Sequence, residues 1–243
     1  MNNDNFNYST TQESESILVK TFLTRVFTWM GAALLISGLV AYVFGTQAEL
    51  INMIIVQTVK GPSLTGLGMA VSFAPLIFIL VMNFGLEKLS LPLLLGCFVL
   101  FSVTMGMSMS TLMLEYTGAA LFKTLLISAG TFGFMAFLGA TTKTDLTKMG
   151  TYLMMGVFGI FIAIIINMFT HSSGMGFLID IGGVVIFTGL ASFQTQMLKK
   201  MALSMGDAGS VQSQKLALNG ALSLYLTFLN LFTFLLALGN DRR

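Results

Sequence analysis

A helix must run for roughly 20 apolar residues to cross the ~30 Å hydrocarbon core of a bilayer. This chain of 243 residues contains seven such runs, near Val26–Gly45, Gly68–Gly85, Leu89–Met109, Thr117–Ala140, Met149–Thr170, Met175–Gln194 and Leu218–Gly239. Ionisable side chains within them are few, and no run alternates apolar and polar residues as a barrel strand would. Backbone groups in lipid must be paired inside their own segment, so the expected fold class is all-α, a bundle of seven transmembrane helices. Only 9% of the residues are charged, against about a quarter in a soluble domain, which places the chain in the membrane.

Local features refine this picture. Pro92 falls in the first turn of the third run, where its missing N–H is harmless. Pro75 lies inside the second run and is expected to kink it. Glu49–Val59 is apolar but too short to cross, and Gly61, Pro62 and Ser63 end it, so it reads as an interfacial or partly buried helix. Residues 1–17 are polar and without periodicity and read as a disordered cytoplasmic tail, leaving 18–243 as the transmembrane domain. The tail lacks the basic start and cleavage site of a signal peptide, so the first span is expected to remain as an anchor. Thr195–Ala217 reads as the longest loop, too short and polar for a second domain.

Basic residues set the expected orientation. With the N-terminus inside, the cytoplasmic segments hold Lys20, Arg25, Lys88, Lys143, Lys148, Lys199, Lys200 and Lys215; the other side holds Lys60, Arg242 and Arg243, while Lys123 snorkels from the fourth span. N-in, C-out follows. The single cysteine, Cys97, lies in a span and forms no intramolecular disulfide. Eighteen methionines and 25 glycines suit a bundle with adaptable packing. Ala129 with Gly133, and Gly159 with Ala163, have the small-xxx-small spacing of close helix contacts, in the bundle or at a dimer face.

Missing atoms exclude several chemistries. An intramembrane aspartyl protease needs two carboxylates at depth, and only Asp180 lies inside a span. A metalloprotease needs histidines at helical spacing, and His171 is the sole histidine, in the loop after the fifth span. A serine nucleophile would lack its base, and no glycine-rich phosphate loop is present. The chain is therefore expected not to be an enzyme, with no cofactor, no resident metal and no nucleic-acid partner.

Polar groups inside the membrane are the functional candidates. Asp180 lies about one and a half turns into the sixth span; it reads either as a carboxylate stabilised near a helix N-terminus or as part of an outer cation vestibule. Gln194, Thr195 and Gln196 close the sixth span. Ser223, Thr227 and Asn230 decorate the seventh, with Thr227 and Asn230 three apart on one face. Asn167 sits in the fifth span, and Ser102, Thr104, Ser108, Ser110 and Thr111 punctuate the third. Interhelical hydrogen bonds or a polar track between helices would each account for them.

The order of these motifs resembles the Bax inhibitor-1 family. Phe101–Gly106 (FSVTMG) leading to Glu115–Gly118 (EYTG) is similar to its third-span exit, and Thr131-Phe132-Gly133, Gly139, Lys143–Leu146 (KTDL) and Gly150 to its fourth span and basic loop. Asn167–Phe169 (NMF) fits the end of the fifth span. Gly183–Gly189 (GVVIFTG) with Phe193–Gln196 (FQTQ) fits the sixth, and Ala221–Phe232 (ALSLYLTFLNLF) the seventh. The resemblance runs collinearly over residues 18–239. It implies a central seventh helix and a bacterial cytoplasmic membrane, and bacterial members resemble calcium leak channels gated by pH. Their sensor is a pair of aspartates, one before Thr-Gln in the sixth span and one before Phe in the seventh, which share a proton and titrate together. Here those positions hold Gln194 and Thr227, neither of which titrates, and the basic partner implied in the second span is absent.

Two functions are therefore expected. One is a leak path for Ca2+ or a similar cation without the pH-sensing pair, with Gln194, Thr227, Asn230 and Asp180 as candidate pore or gate residues. The other is a non-conducting regulator that binds a membrane-anchored protease or other membrane proteins, as one bacterial member of the family does, through the N-terminal tail. Whether Gln194 and Thr227 border a cavity or a dry contact bears on the choice.

Overall fold

A computed structural model describes residues 15–56 and 63–239 in full and gives the backbone course of the helix and hairpin that adjoin them. The elements run α1 (Asn3–Thr46), α2 (Ala48–Ile54), β1 (Ile55–Thr58), β2 (Gly61–Leu64), α3 (Gly66–Gly85), α4 (Leu91–Met109), α5 (Leu112–Glu115), α6 (Gly118–Thr141), α7 (Thr147–Thr170), α8 (Ser173–Met205) and α9 (Val211–Gly239). Among the described residues, seven helices are long and apolar enough to cross a membrane: α1 from Glu15 onward, α3, α4 continued through α5, α6, α7, α8 and α9. The fold is thus an all-α polytopic bundle. The disordered tail expected over 1–17 lies for its greater part outside the described residues; Glu15, Ser16 and Ile17 belong to α1.

Start signals match the helix boundaries. The Thr65 hydroxyl accepts from Gly68 N at 3.0 Å, Thr117 from Ala120 N at 3.2 Å and Ser172 from Met175 N at 3.3 Å, so each caps the helix that follows. Pro92 sits in the first turn of α4, and Pro75 lies buried inside α3. His171 ends α7 in the left-handed conformation (φ 48°), and the Asn167 carboxamide oxygen accepts from Ser172 N at 3.1 Å across this turn. Asn167 is thereby a turn residue rather than part of a polar track.

Two sequence readings need correction. Glu49–Val59 is not one helix: α2 stops at Ile54, and Ile55–Thr58 pairs antiparallel with Gly61–Leu64, Ile55 opposite Leu64. The β-branched residues Ile55, Val56 and Thr58 favour the strand, and Pro62 is tolerated in so short an edge. Nor is Thr195–Ala217 a loop. α8 continues to Met205 because Thr195, Leu198 and Ala202 keep one buried face at helical spacing, and it stops at Gly206 with φ 67°, a backbone state glycine adopts without strain. The turn to α9 then needs only Gly206–Ser210.

α9 is the centre of the bundle. More than half of its membrane window is buried, 56%, against 6% for the peripheral α7. It packs against α1, α4, α6 and α8 through Leu218, Leu222, Leu224, Tyr225, Phe228 and Leu231. Close approach elsewhere rests on glycine: a Cβ on Gly139 would stand 2.1 Å from Ser192 O of α8, and one on Gly106 2.5 Å from Ser37 O of α1. The small-xxx-small pairs flagged in the sequence play no such part, since a Cβ on Gly133 or Gly159 would meet nothing within 4 Å. Spacing alone does not report which face a small residue occupies.

Candidate functional site

The seam between α8 and α9 gathers most of the candidates. These antiparallel helices bring Thr227 opposite Gln194, and the Thr227 hydroxyl donates to the Gln194 carboxamide oxygen at 2.8 Å. Thr227 is buried and Gln194 half-buried. A threonine–glutamine bond of this kind carries no charge and contains no group that titrates at physiological pH.

Towards the end of the bundle where the basic residues collect, Gln194 reaches a cavity of about 380 Å³ between α7, α8 and α9. Asn219 and Ser223 line it from α9, with Met154, Met197 and Met201 among the apolar wall. Asn219, Ser223, Thr227 and Asn230 follow one another at spacings of four, four and three, so they form a single polar stripe along α9. Asn219 was overlooked in the sequence, although this spacing could have revealed it.

In the other direction the seam becomes apolar. Asn230 turns its amide back to its own helix, donating to Leu226 O at 2.8 Å. About one turn on, the Phe234 ring stacks on Phe187 of α8, centroids 5.7 Å apart and planes inclined by 24°. Phe234 also lies over the bare backbone of Gly183, where a Cβ would stand 2.4 Å from the ring. Asp180, half-buried on α8, lies beyond this aromatic layer. Fourteen residues of helix separate it from Gln194, about 21 Å along the axis, so the two do not share one site.

Other polar residues are structural. The Tyr225 hydroxyl bonds Ser37 Oγ at 2.6 Å in the buried core. Ser37 directs its one proton toward the carbonyls of Ser102 (2.7 Å) and Ala33 (2.9 Å), so Tyr225 is the donor to Ser37. This link joins α1, α4 and α9 and went unread in the sequence, where one serine in the apolar run Val26–Gly45 gives no signal. Thr104, Ser110 and Thr111 bond to carbonyls of their own local backbone and line no track.

The basic end is tied down by a clamp. Gln196 donates to Thr144 O at 2.7 Å and accepts from Leu146 N at 2.8 Å, fixing the α6–α7 turn to α8. Lys199 donates to Ala140 O at 2.7 Å, and Arg25 of α1 to Ala208 O at 2.6 Å in the α8–α9 turn. Lys200 pairs with Asp145 at 2.5 Å. The hydrogen bond from Lys200, then those from the Thr147 side chain and backbone, hold the Asp145 carboxyl far below the ordinary carboxylate range. A depressed folded-state pKa means that this contact is intact above the usual carboxylate pKa of about 4 and is lost only on acidification below it. The Asp145 carboxylate therefore stays ionised through neutrality.

Residues 19–243 match the family model described as inhibitor of apoptosis-promoting Bax1. The chain belongs to the Bax inhibitor-1 family. Within it, the chain is similar to inner membrane protein YbhL of Escherichia coli, 32% identical over 225 residues covering 93% of each chain. It is also similar to an uncharacterized protein of Borreliella burgdorferi, 40% identical over 245 residues covering 96% of this chain and 97% of that one. A third relative, YrjE of Lactococcus lactis, is 32% identical over 251 residues. The Bax inhibitor-1 match spans all seven membrane helices, so the α8–α9 seam belongs to the family's own domain.

Proposed function

We propose that this Bax inhibitor-1 protein is a cation leak path of the cytoplasmic membrane, carrying Ca2+ or a similar ion along the α8–α9 seam without a titratable latch. The observation that carries the reading is the neutral Thr227–Gln194 bond at the inner edge of a cavity of about 380 Å³. The basic end faces the cytoplasm, as the distribution of lysine and arginine favours, and YbhL is named an inner membrane protein. Ions enter from the cavity, where the Asn219, Ser223 and Gln194 oxygens replace part of the hydration shell. Weak, transient coordination by neutral oxygens suits a leak better than a tight carboxylate cage would.

In this reading the seam has two constrictions in series: the Thr227–Gln194 bond and the Phe187–Phe234 layer. The second is an apolar barrier of the kind that closes a pore by excluding water. Phe234→Ala removes the ring from above Gly183 and is expected to raise Ca2+ flux into liposomes at pH 7 about tenfold over wild type. A Phe232→Ala variant, altered on another face of α9, serves as the control and should leave flux within twofold. Equal flux from Phe234→Ala and wild type would remove the aromatic layer from the path.

A partner-binding regulator is the second reading. Its favouring observation is the stacked aromatic layer itself, which also suits a seam that never conducts. Absence of flux from wild type and Phe234→Ala alike would select it.

A further inference from the structure

At the end of the bundle opposite the basic residues, a second cavity of about 430 Å³ is walled by α1, α5, α6 and α9. It reaches from Leu34 to Tyr42 along α1, eight residues or about 12 Å, which is close to half of the ~30 Å hydrocarbon thickness. Phe228, Leu229 and Phe232 of α9 form its floor. Its rim is open to the surroundings, with Phe122 64% and Tyr42 60% exposed. Because α1 and α6 both cross the membrane, those surroundings are lipid.

The lining is almost wholly apolar, its two hydroxyls being those of Ser37 and, at the rim, Tyr42. Ser37, which borders the cavity, already bonds to Tyr225, Ser102 and Ala33. A water needs two to four polar partners, and the Tyr42 hydroxyl at the rim falls short of that. An empty apolar space of this size would forfeit the dispersion contacts of its whole lining. Its volume is about fourteen times the ~30 Å³ share of one liquid water, room for a stretch of acyl chain. Two bare positions keep the space clear: a Cβ on Gly38 or on Gly118 would meet nothing within 4 Å, and both residues line the cavity.

We infer that this cavity is a lipid site, which holds one acyl chain of a phospholipid from the adjoining leaflet, lying along α9 between α1 and α6. The site is independent of ion conduction, and its occupant packs directly against the central helix. An acyl chain seated there packs on Phe228, Leu229 and Phe232 of α9 through the gap between α1 and α6.

The test uses full-length protein reconstituted in phosphatidylethanolamine–phosphatidylglycerol vesicles, extracted in mild detergent and weighed by native mass spectrometry. Wild type is expected to retain one phospholipid per chain. Gly38→Phe fills the cavity and is expected to lose it. Gly159→Phe, which adds the same ring at an open position on α7, is expected to keep it. Circular dichroism of both variants confirms that each is folded, and Gly118→Leu, entering from α6, repeats the test should Gly38→Phe misfold. A filled variant that retains its lipid as wild type does, or a wild type that retains none, overturns the inference. Loss from both phenylalanine variants would also overturn it, since the lipid would then be part of a general annulus.

Discussion

Replacing Gln194 and Thr227 together by aspartate is expected to give Ca2+ flux a steep dependence on pH between 6 and 8. The two side chains meet at 2.8 Å across the α8–α9 seam. Two carboxylates at that separation cannot both ionise, so they share one proton and the upper of their two apparent pKa values rises towards neutrality. Protonation keeps the pair together; loss of the shared proton leaves like charges that repel and part the helices. Flux through the double variant should therefore rise with pH, changing by about tenfold or more across the window. Either single aspartate still has a neutral partner to bond, and each should show a much shallower profile. Measured as fluorescence of a Ca2+ indicator trapped in liposomes, a flat double-variant profile would mean that the seam does not control conduction.

The largest effect on folding is expected at Gly139. A leucine there drives its Cβ, and everything beyond it, into the Ser192 carbonyl, and neither backbone can yield without moving α6 from α8. Overpacking of this kind destabilises by about 3 kcal/mol or more, a large share of the total for a typical domain. Gly159→Leu adds the same atoms where nothing stands within 4 Å and faces lipid. Membrane yield and the midpoint of thermal unfolding in detergent should fall sharply for the first variant and stay near wild type for the second. Equal behaviour of the two would show that helix approach at Gly139 is not what holds α6 to α8.

That contrast also shows where sequence ceases to be informative. Length and apolarity of each run fix the number of spans, because the bilayer imposes them residue by residue. The direction in which Gly159 or Gly133 points depends on how neighbouring helices are rotated, and nothing local encodes it. The same holds for α8. Its apolarity drops after Gln194, yet the buried face of Thr195, Leu198 and Ala202 carries the helix on to Met205. Hydropathy marked where lipid ends, not where the helix does. Ile55–Thr58 failed for another reason: a short apolar run of β-branched residues suits either a helix or a strand, and its pairing with Gly61–Leu64 decided it.

The candidate site was half legible. Gln194 and Thr227 stand out because polar groups are rare in these spans and because the resemblance to the Bax inhibitor-1 family implies an acidic pair at those positions. Their contact at 2.8 Å follows from the antiparallel packing of α8 on α9. Asn230 shares the stripe but bonds to its own helix, and Asp180 lies about 21 Å away along α8, on the far side of Phe187 and Phe234. The aromatic layer itself was invisible beforehand, since 22 phenylalanines in an apolar chain give no hint which two will stack over a glycine. Tyr225 likewise reads as one more aromatic residue until its hydroxyl is seen against Ser37.

The most direct test of a latch-free leak is Ca2+ entry into liposomes containing the wild-type protein, followed at pH 6, 7 and 8 against protein-free liposomes. Entry above the protein-free rate at all three values, varying by less than about twofold among them, is the result expected of a seam closed by Thr227 and Gln194. Entry that changes several-fold with pH would contradict it by requiring a titrating gate, and entry no faster than in protein-free liposomes would contradict conduction altogether.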